Sequence, residues 1–434
     1  MSHTNRVFIT GMSALTSTGA TADDTWSAVL AGESGLGEIR QWELPTWSNR
    51  LGGELKHYNP ASMLPDRKLM KVISRQDVLG INAAMQAVDH SQLIPYRDAV
   101  GADAPDWLAS FQDDTGVYVG SPGNKYLQQY DFLPLIAKTK GDMQEFAKHL
   151  FSEVHPMWLL RILPNNVLAY TGITYGFKGA NHNITNHAVS GMQAIIEAYH
   201  AIACGQISRA VVVAYDVGTE PQALYYYDKL GVLSDRNLNP FDQHHDGTVL
   251  AEGASALVLE SEASARDRSA LCYAEVTGGS STTEAAGLFS IEAEGTQLQR
   301  LMSLALERQQ LYAGDIGLVV AHGNGNPKSD ISEAQAIHAL FGNHDVPVTA
   351  FKWSMGHTLC ASGVLDTVLG VYSLRNQCIP GIANLTELAP DCRAMNASRE
   401  TRPLRDHKQH ALIINRGFGS MNTCLVIKAC DEFV

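Results

Sequence analysis

NITNHAVSGMQAIIEAYHAIACG, residues 183–205, decides how the rest of the chain is read. Met192, Ile195, Ile196, Tyr199 and Ile202 recur at helical spacing and Gly205 follows as a stop, so the segment predicts an amphipathic helix over about 189–204. Ser190-Gly191 opens a helical stretch that ends by Ile207, and Ser362-Gly363 opens another that ends by Ile379, at the same offset. In that register Ala188 pairs with Cys360. Short apolar runs predict buried strands at 210–215 (AVVVAY), 316–321 (IGLVVA), 411–415 (ALIIN) and 423–428 (TCLVIK). They alternate with helices, a second clear one covering about 297–308, and such alternation means an α/β fold of parallel, helix-covered sheets. The repeat divides the chain into two similar halves, 1–262 and 263–434, whose central helix starts meet near a pseudo-two-fold axis. Residues 96–179 fit the repeat poorly, being rich in aromatics, prolines and turn residues, and are expected to form an insertion that covers the site.

With 434 residues and 45% hydrophobic content the chain can bury a large core. No basic stretch followed by an apolar run opens it, and no apolar segment approaches the ~18 residues that span a bilayer. Seven cysteines, without Cys-x-x-Cys spacing, fit reduced thiols in the cytoplasm and give no sign of zinc or another metal site. A formal charge of −13 disfavours nucleic acid as the main partner, and an acidic partner needs a local basic patch. Arg67, Lys71 and Arg75, with Lys68 beside them, supply one if residues 67–75 form a helix. A solvated basic face would look the same.

Chemistry-bearing residues recur at strand ends and helix starts. The start of the 189–204 helix offers free N–H groups and a positive dipole end, which would activate a thiol and hold an oxyanion, yet Ala188 stands there. His322 follows the 316–321 strand in the loop AHGNGNP, and Lys352 precedes His357 by five residues in KWSMGH. RGFGSMN, 416–422, joins the last two strands through a glycine-rich turn. Each feature has an ordinary structural reading when taken singly; their joint order is far more specific.

That order, together with residues 6–19 (RVFITGMSALTSTG), 175–181 (YGFKGAN), 239–259 (NPFDQHHDGTVLAEGASALVL) and 330–337 (DISEAQAI), resembles the elongating β-ketoacyl-acyl-carrier-protein synthases over nearly the whole chain. The resemblance implies the thiolase-like fold, with two pseudo-symmetric halves in an αβαβα core, and a decarboxylative Claisen condensation of an acyl group with malonyl-carrier protein. It implies no cofactor, since substrates ride on the phosphopantetheine of an acyl carrier protein. His322 and His357 match the histidines that stabilise the decarboxylation enolate, Lys352 the lysine that orders the site, and Asp366 a position where glutamate is usual. The amides of Ala188 and Phe418 match the oxyanion hole, Phe418 the gate of the acyl pocket, and Asp330 and Glu333 structural acids. Asn324 and Asn326 stand where threonines contact the phosphopantetheine arm. The basic patch matches the carrier docking face, and a homodimer, or a heterodimer with a related ketosynthase, is implied.

Three departures stand out: Ala188 at the nucleophile position, the two asparagines, and the pair His187 and Met421 where a small residue and a threonine are usual. Ala188 cannot form a thioester, so condensation is expected to be lost. The expected reading is a condensing acyltransferase of fatty acid, polyketide or polyene synthesis whose cysteine has been replaced. Its rivals are a natural malonyl decarboxylase and a chain-length-factor-like non-catalytic partner.

Overall fold

The computed structural model describes residues 5–430 except 44–46, 48, 57, 124, 126–130, 343 and 406–407. Among these, eleven strands form one mixed sheet. The first five are β1 (Val7–Leu15), β2 (Thr115–Gly120), β3 (Asn181–Ile184), β4 (Arg209–Val217) and β5 (Glu252–Ser261). The remaining six are β6 (Ala274–Thr283), β7 (Ile316–Val320), β8 (Pro347–Thr349), β9 (Asn396–Ala397), β10 (His410–Gly417) and β11 (Met421–Ala429).

The two sets repeat one wiring. In the first the spatial order is β1-β5-β4-β2-β3, and in the second β6-β11-β10-β7-β8, with β9 added at the edge. Even the senses agree: the first two pairings of each set are antiparallel and the last two parallel. A short antiparallel pairing of β1 with β6, from Val7↔Val276 to Ile9↔Ala274, joins the sets.

Five helices set the layers: α1 (Arg75–Ser91), α2 (Ser190–Ala203), α3 (Thr296–Arg308), α4 (Pro327–Phe341) and α5 (Ser362–Arg375). The first covers the outer face of β1, β4 and β5, while α3, beside α4, covers β6 and β11. Between the two sheet halves lie α2 and α5, packed on each other and on strands of both. This is the αβαβα arrangement of the thiolase-like fold. Sequence explains the placement of α5, whose Val364, Leu365, Val368, Leu369, Val371 and Leu374 are all buried, because a helix apolar on every side belongs in an interior.

The repeated Ser-Gly pair has a packing cause. A Cβ on Gly191 would lie 2.4 Å from the Cys360 carbonyl oxygen, and one on Gly363 would lie 2.9 Å from Met192 Cβ, so the missing side chains let the two helix starts cross in contact. Both helices stop about a turn before Ile207 and Ile379, earlier than the repeat suggested. Gly205 and Gln377, each with positive φ, turn the chain away there.

The insertion expected over 96–179 needs correction. β2 sits inside the sheet, paired with both β3 and β4, so residues 115–120 belong to the core. TGVYVG is a poor strand by composition, but Gly120 is required where a Cβ would strike the Gly191 nitrogen at 2.5 Å. The added segment lies between β2 and β3 and carries helices such as Met143–Glu153 and Asn166–Tyr175. The second of these packs on α1. Of the insertion, residues 124 and 126–130 are outside the described residues, as are residues 1–4 and 431–434 at the ends of the two expected halves.

Candidate active site

The start of α2 is an elbow. His187 adopts a left-handed backbone at φ +53, and its carbonyl accepts the Ser190 hydroxyl at 2.6 Å, which turns the chain into the helix. Ala188 follows, almost wholly buried. At the same offset Leu359 has φ +47, its carbonyl accepts the Ser362 hydroxyl at 2.8 Å, and Cys360 follows. The two elbows share the left-handed residue and the hydroxyl-to-carbonyl hydrogen bond at the same offset. Holding bulky residues in this conformation costs roughly 1–2 kcal/mol each, strain that the packed helix starts must offset.

His322 and His357 meet edge to face with ring centroids 5.2 Å apart. The Arg416 backbone N–H donates to His322 Nδ1 at 3.3 Å, and the Leu359 N–H donates to His357 Nδ1 at 3.3 Å. With both Nδ1 atoms accepting, each neutral ring carries its proton on Nε2. Burial first, then the Lys352 charge, holds both imidazoles well below the usual 6.5, so they are neutral near pH 7. Glu333 fixes the loop beneath by accepting from the N–H groups of His322 and Gly323 at 2.7 and 2.9 Å. Burial raises its own carboxyl to about 7. Asp330 accepts from the N–H groups of Phe241 and Gly325 and contacts His245. Lys352 reaches Asp366 at 2.7 Å with both side chains 2% exposed, so the shorter acid still completes the pair. Behind them Arg416, whose part the sequence did not reveal, is buried against Glu284, Asn422 and the Ser329 carbonyl.

The oxyanion-hole expectation is altered at one of its two donors. The Phe418 N–H is given to His187 Nδ1 at 3.2 Å, and His187 Nε2 lies 2.5 Å from the Tyr227 hydroxyl. The imidazole stacks on Phe418 with centroids 4.4 Å apart and planes 19° apart. Burial lowers this histidine to about 4, which keeps it neutral. Its position follows from the elbow, because a left-handed backbone aims a large side chain where a small one would leave room. Tyr227 escaped the sequence reading within the run Tyr225–Tyr227, although its spacing from Leu224 marks it as the inward-facing member.

Two cavities flank this cluster. An outer one of about 470 Å³ is bordered by His322, His357, Asn324, Asn326 and Arg416, and an inner one of about 400 Å³ by Asp216, Val217, Ala223, Leu359 and Cys360. Asn326 Oδ1 also caps α4 by accepting from the Lys328 and Ser329 N–H groups, while Asn324 Oδ1 accepts from the Asn326 N–H. Among the described residues of the segment between β2 and β3, only Pro122 borders either cavity, and it borders the inner one, so none of these residues roofs the histidines. A larger groove of about 820 Å³ lies elsewhere, beside Cys272, Tyr273 and Arg375, and holds none of the candidate groups.

The basic patch does not form as expected. Residues Arg67–Lys71 make a 3₁₀ turn, and Ser74 with Asp77 forms a capping box that starts α1 afresh at Arg75. Arg75 turns inward onto buried Glu252 at 2.9 Å and over the Tyr58 ring. Arg67, Lys68 and Lys71 remain exposed. Among the described residues, no cluster of three metal-ligating side chains occurs and no helix is long and apolar enough to cross a membrane.

This architecture is that of a condensing enzyme, and the family comparison agrees. Residues 4–265 match the β-ketoacyl synthase N-terminal domain and residues 273–386 its C-terminal domain, so the chain belongs to the β-ketoacyl synthase family. It is 28% identical over 433 residues to the 3-oxoacyl-[acyl-carrier-protein] synthase 2 of Synechocystis sp., covering 98% of each chain. A Staphylococcus aureus protein of the same name is 27% identical over 99% of each. Among solved structures, a β-ketoacyl synthase from Burkholderia phymatum superposes with a TM-score of 0.85 at 26% identity, covering 98% of this chain and all of that one. The ishigamide ketosynthase/chain length factor shares the fold at a TM-score of 0.85 and 21% identity, covering 99% of this chain and all of that one.

Proposed function

We propose that this chain works on carrier-protein thioesters and performs the decarboxylating half of the family's condensation without the acyl-transfer half. One observation carries the reading: two neutral imidazoles present Nε2–H donors on one cavity, while the helix start that would hold the acyl group ends in a methyl. A malonyl thioester oxygen placed between His322 and His357 would receive both donors. As the bond to the carboxylate breaks, its electron pair passes into an enolate whose charge sits on that oxygen. Carbon dioxide leaves, and a proton from solvent gives the acetyl thioester. Lys352, paired with Asp366, adds a fixed positive charge that keeps the rings neutral donors. Asn324 and Asn326 border the cavity where a phosphopantetheine arm would lie, and exposed Arg67, Lys68 and Lys71 suit an acidic carrier protein.

Occupation of the Phe418 amide by His187 favours a chain adapted to non-condensing work over one that merely lost its cysteine. The edge strand β3, paired on one side by β2, suits assembly with a second copy or with a related ketosynthase, where a partner-shaping role would also fit. Incubation with malonyl-carrier protein, read by mass spectrometry, tests the reading. Acetyl-carrier protein should accumulate, and His322→Ala should slow it at least ~100-fold, the scale of losing an oxyanion donor. Equal rates for the two chains would overturn the histidine assignment. In parallel, Ala188→Cys should remain unacylated by acyl-carrier protein, whereas a site-specific acyl-enzyme would restore the condensing reading.

A further inference from the structure

The inner cavity has the apolar walls of an acyl pocket, yet a cluster of rings stands between it and the histidines. His187, Tyr227, Phe289 and Phe418 border both cavities and form their common wall. Phe418 stacks on His187 at 4.4 Å, Tyr227 on Phe418 at 5.4 Å, and Phe289 meets Phe418 edge-on at 5.2 Å. Both imidazole nitrogens are engaged, Nδ1 by the Phe418 N–H and Nε2 by the Tyr227 hydroxyl. Since Nδ1 accepts, the bond to Tyr227 is donated by Nε2–H, and the ring is held at both ends. It is also wedged against the hairpin, for a Cβ on Gly417 would lie 3.2 Å from Nδ1.

We infer that His187 latches Phe418 across the passage between the cavities, so that the site accepts a short malonyl-type group on pantetheine and refuses a long acyl chain. This rests on the reading above that pantetheine thioesters occupy the outer cavity. Displacing His187 to open the passage loses its two hydrogen bonds and its stacks on Phe418 and Tyr227, while a malonyl group between His322 and His357 requires none of these losses. His187 therefore acts as a specificity-determining residue through the gate.

Calorimetric titration of the full chain with pantetheine and with octanoyl-pantetheine tests this. In the native chain the octanoyl group should change affinity by less than about twofold. In His187→Ala it should tighten binding at least ~10-fold, because each methylene that reaches an apolar wall is worth on the order of fourfold. Tyr227→Phe, which keeps the ring and removes the hydroxyl, should give an intermediate gain. A native chain that already binds octanoyl-pantetheine ~10-fold more tightly than pantetheine overturns the inference. So does a folded His187→Ala chain, checked by circular dichroism, that gains nothing, or a failure of every probe to bind. Chain-length discrimination without decarboxylation would sink the proposed activity and leave the latch standing; decarboxylation with free acceptance of octanoyl would do the reverse.

Discussion

Replacing Asp366 by asparagine should be among the most damaging single changes available in this fold. The Lys352 ammonium and the Asp366 carboxylate are 2.7 Å apart and each side chain is 2% exposed, so no water can take over from a lost partner. Removing one member of such a pair leaves the other charge buried and uncompensated, at a cost of about 3–5 kcal/mol. The carboxyl lies on α5, which is buried without a break from Ser362 to Val371, and this gives the lysine no route to solvent. Asp366→Glu keeps the pair but adds a methylene to a filled interior, for about 1–3 kcal/mol. Lys352→Met with Asp366→Asn removes the charge altogether and should recover most of the loss. Urea unfolding, read as midpoint and slope, measures all three. If Asp366→Asn loses under ~1 kcal/mol, or the double variant is no more stable than the single, the pair is not the buried, mutually dependent unit described here.

Two further outcomes follow from the same geometry. His187 is held at about 4 against an ordinary 6.5, so the unfolded chain takes up a proton that the folded chain refuses; stability should fall as pH drops from about 6.5 towards 4, by on the order of 3 kcal/mol from this ring alone. His322 and His357 act in the same direction, while buried Glu333, Glu220 and Asp216, raised to about 7, 8 and 6, act in the opposite one. The check is therefore the difference in urea stability between the chain and His187→Phe, which should shift in favour of the variant as pH falls from 6.5 to 4; a difference that stays flat over that range would contradict it. Gly191→Ala should cost at least about 2 kcal/mol in the same unfolding assay, since its Cβ would press on the Cys360 carbonyl at 2.4 Å, whereas Gly37→Ala, with nothing within 4 Å, should be close to neutral.

Much of this architecture is written in short-range patterns. The apolar runs that became β4, β7, β10 and β11, and the repeated Ser-Gly openings of α2 and α5, were legible because period and punctuation reflect burial directly. Thr115–Gly120 was not, because its glycines answer long-range needs that no local propensity contains, the approach of α2 at Gly120 and of the Ala180 carbonyl at Gly116. The basic residues 67–75 misled for a similar reason: charge spacing suggested one helix, but the Ser74 cap broke it and Glu252, far along the chain, drew Arg75 inward. At the candidate site, residue types at strand ends and helix starts pointed to His322, Lys352 and His357, while Asp366 came only from the family resemblance. The hydrogen bond from Phe418 to His187 could not be read from the sequence, since it depends on an imidazole being aimed by a backbone angle.

The middle layer has a consequence for how this molecule comes into being. Each half of the chain contributes one helix to a slab that serves as floor for its own strands and ceiling for the other's. A ribosome that has released only the first half presents α2 with one face still wet, and the second half supplies the cover. The duplicated plan therefore behaves as a single object, assembled once, whose symmetry is visible in its wiring and hidden in its stability.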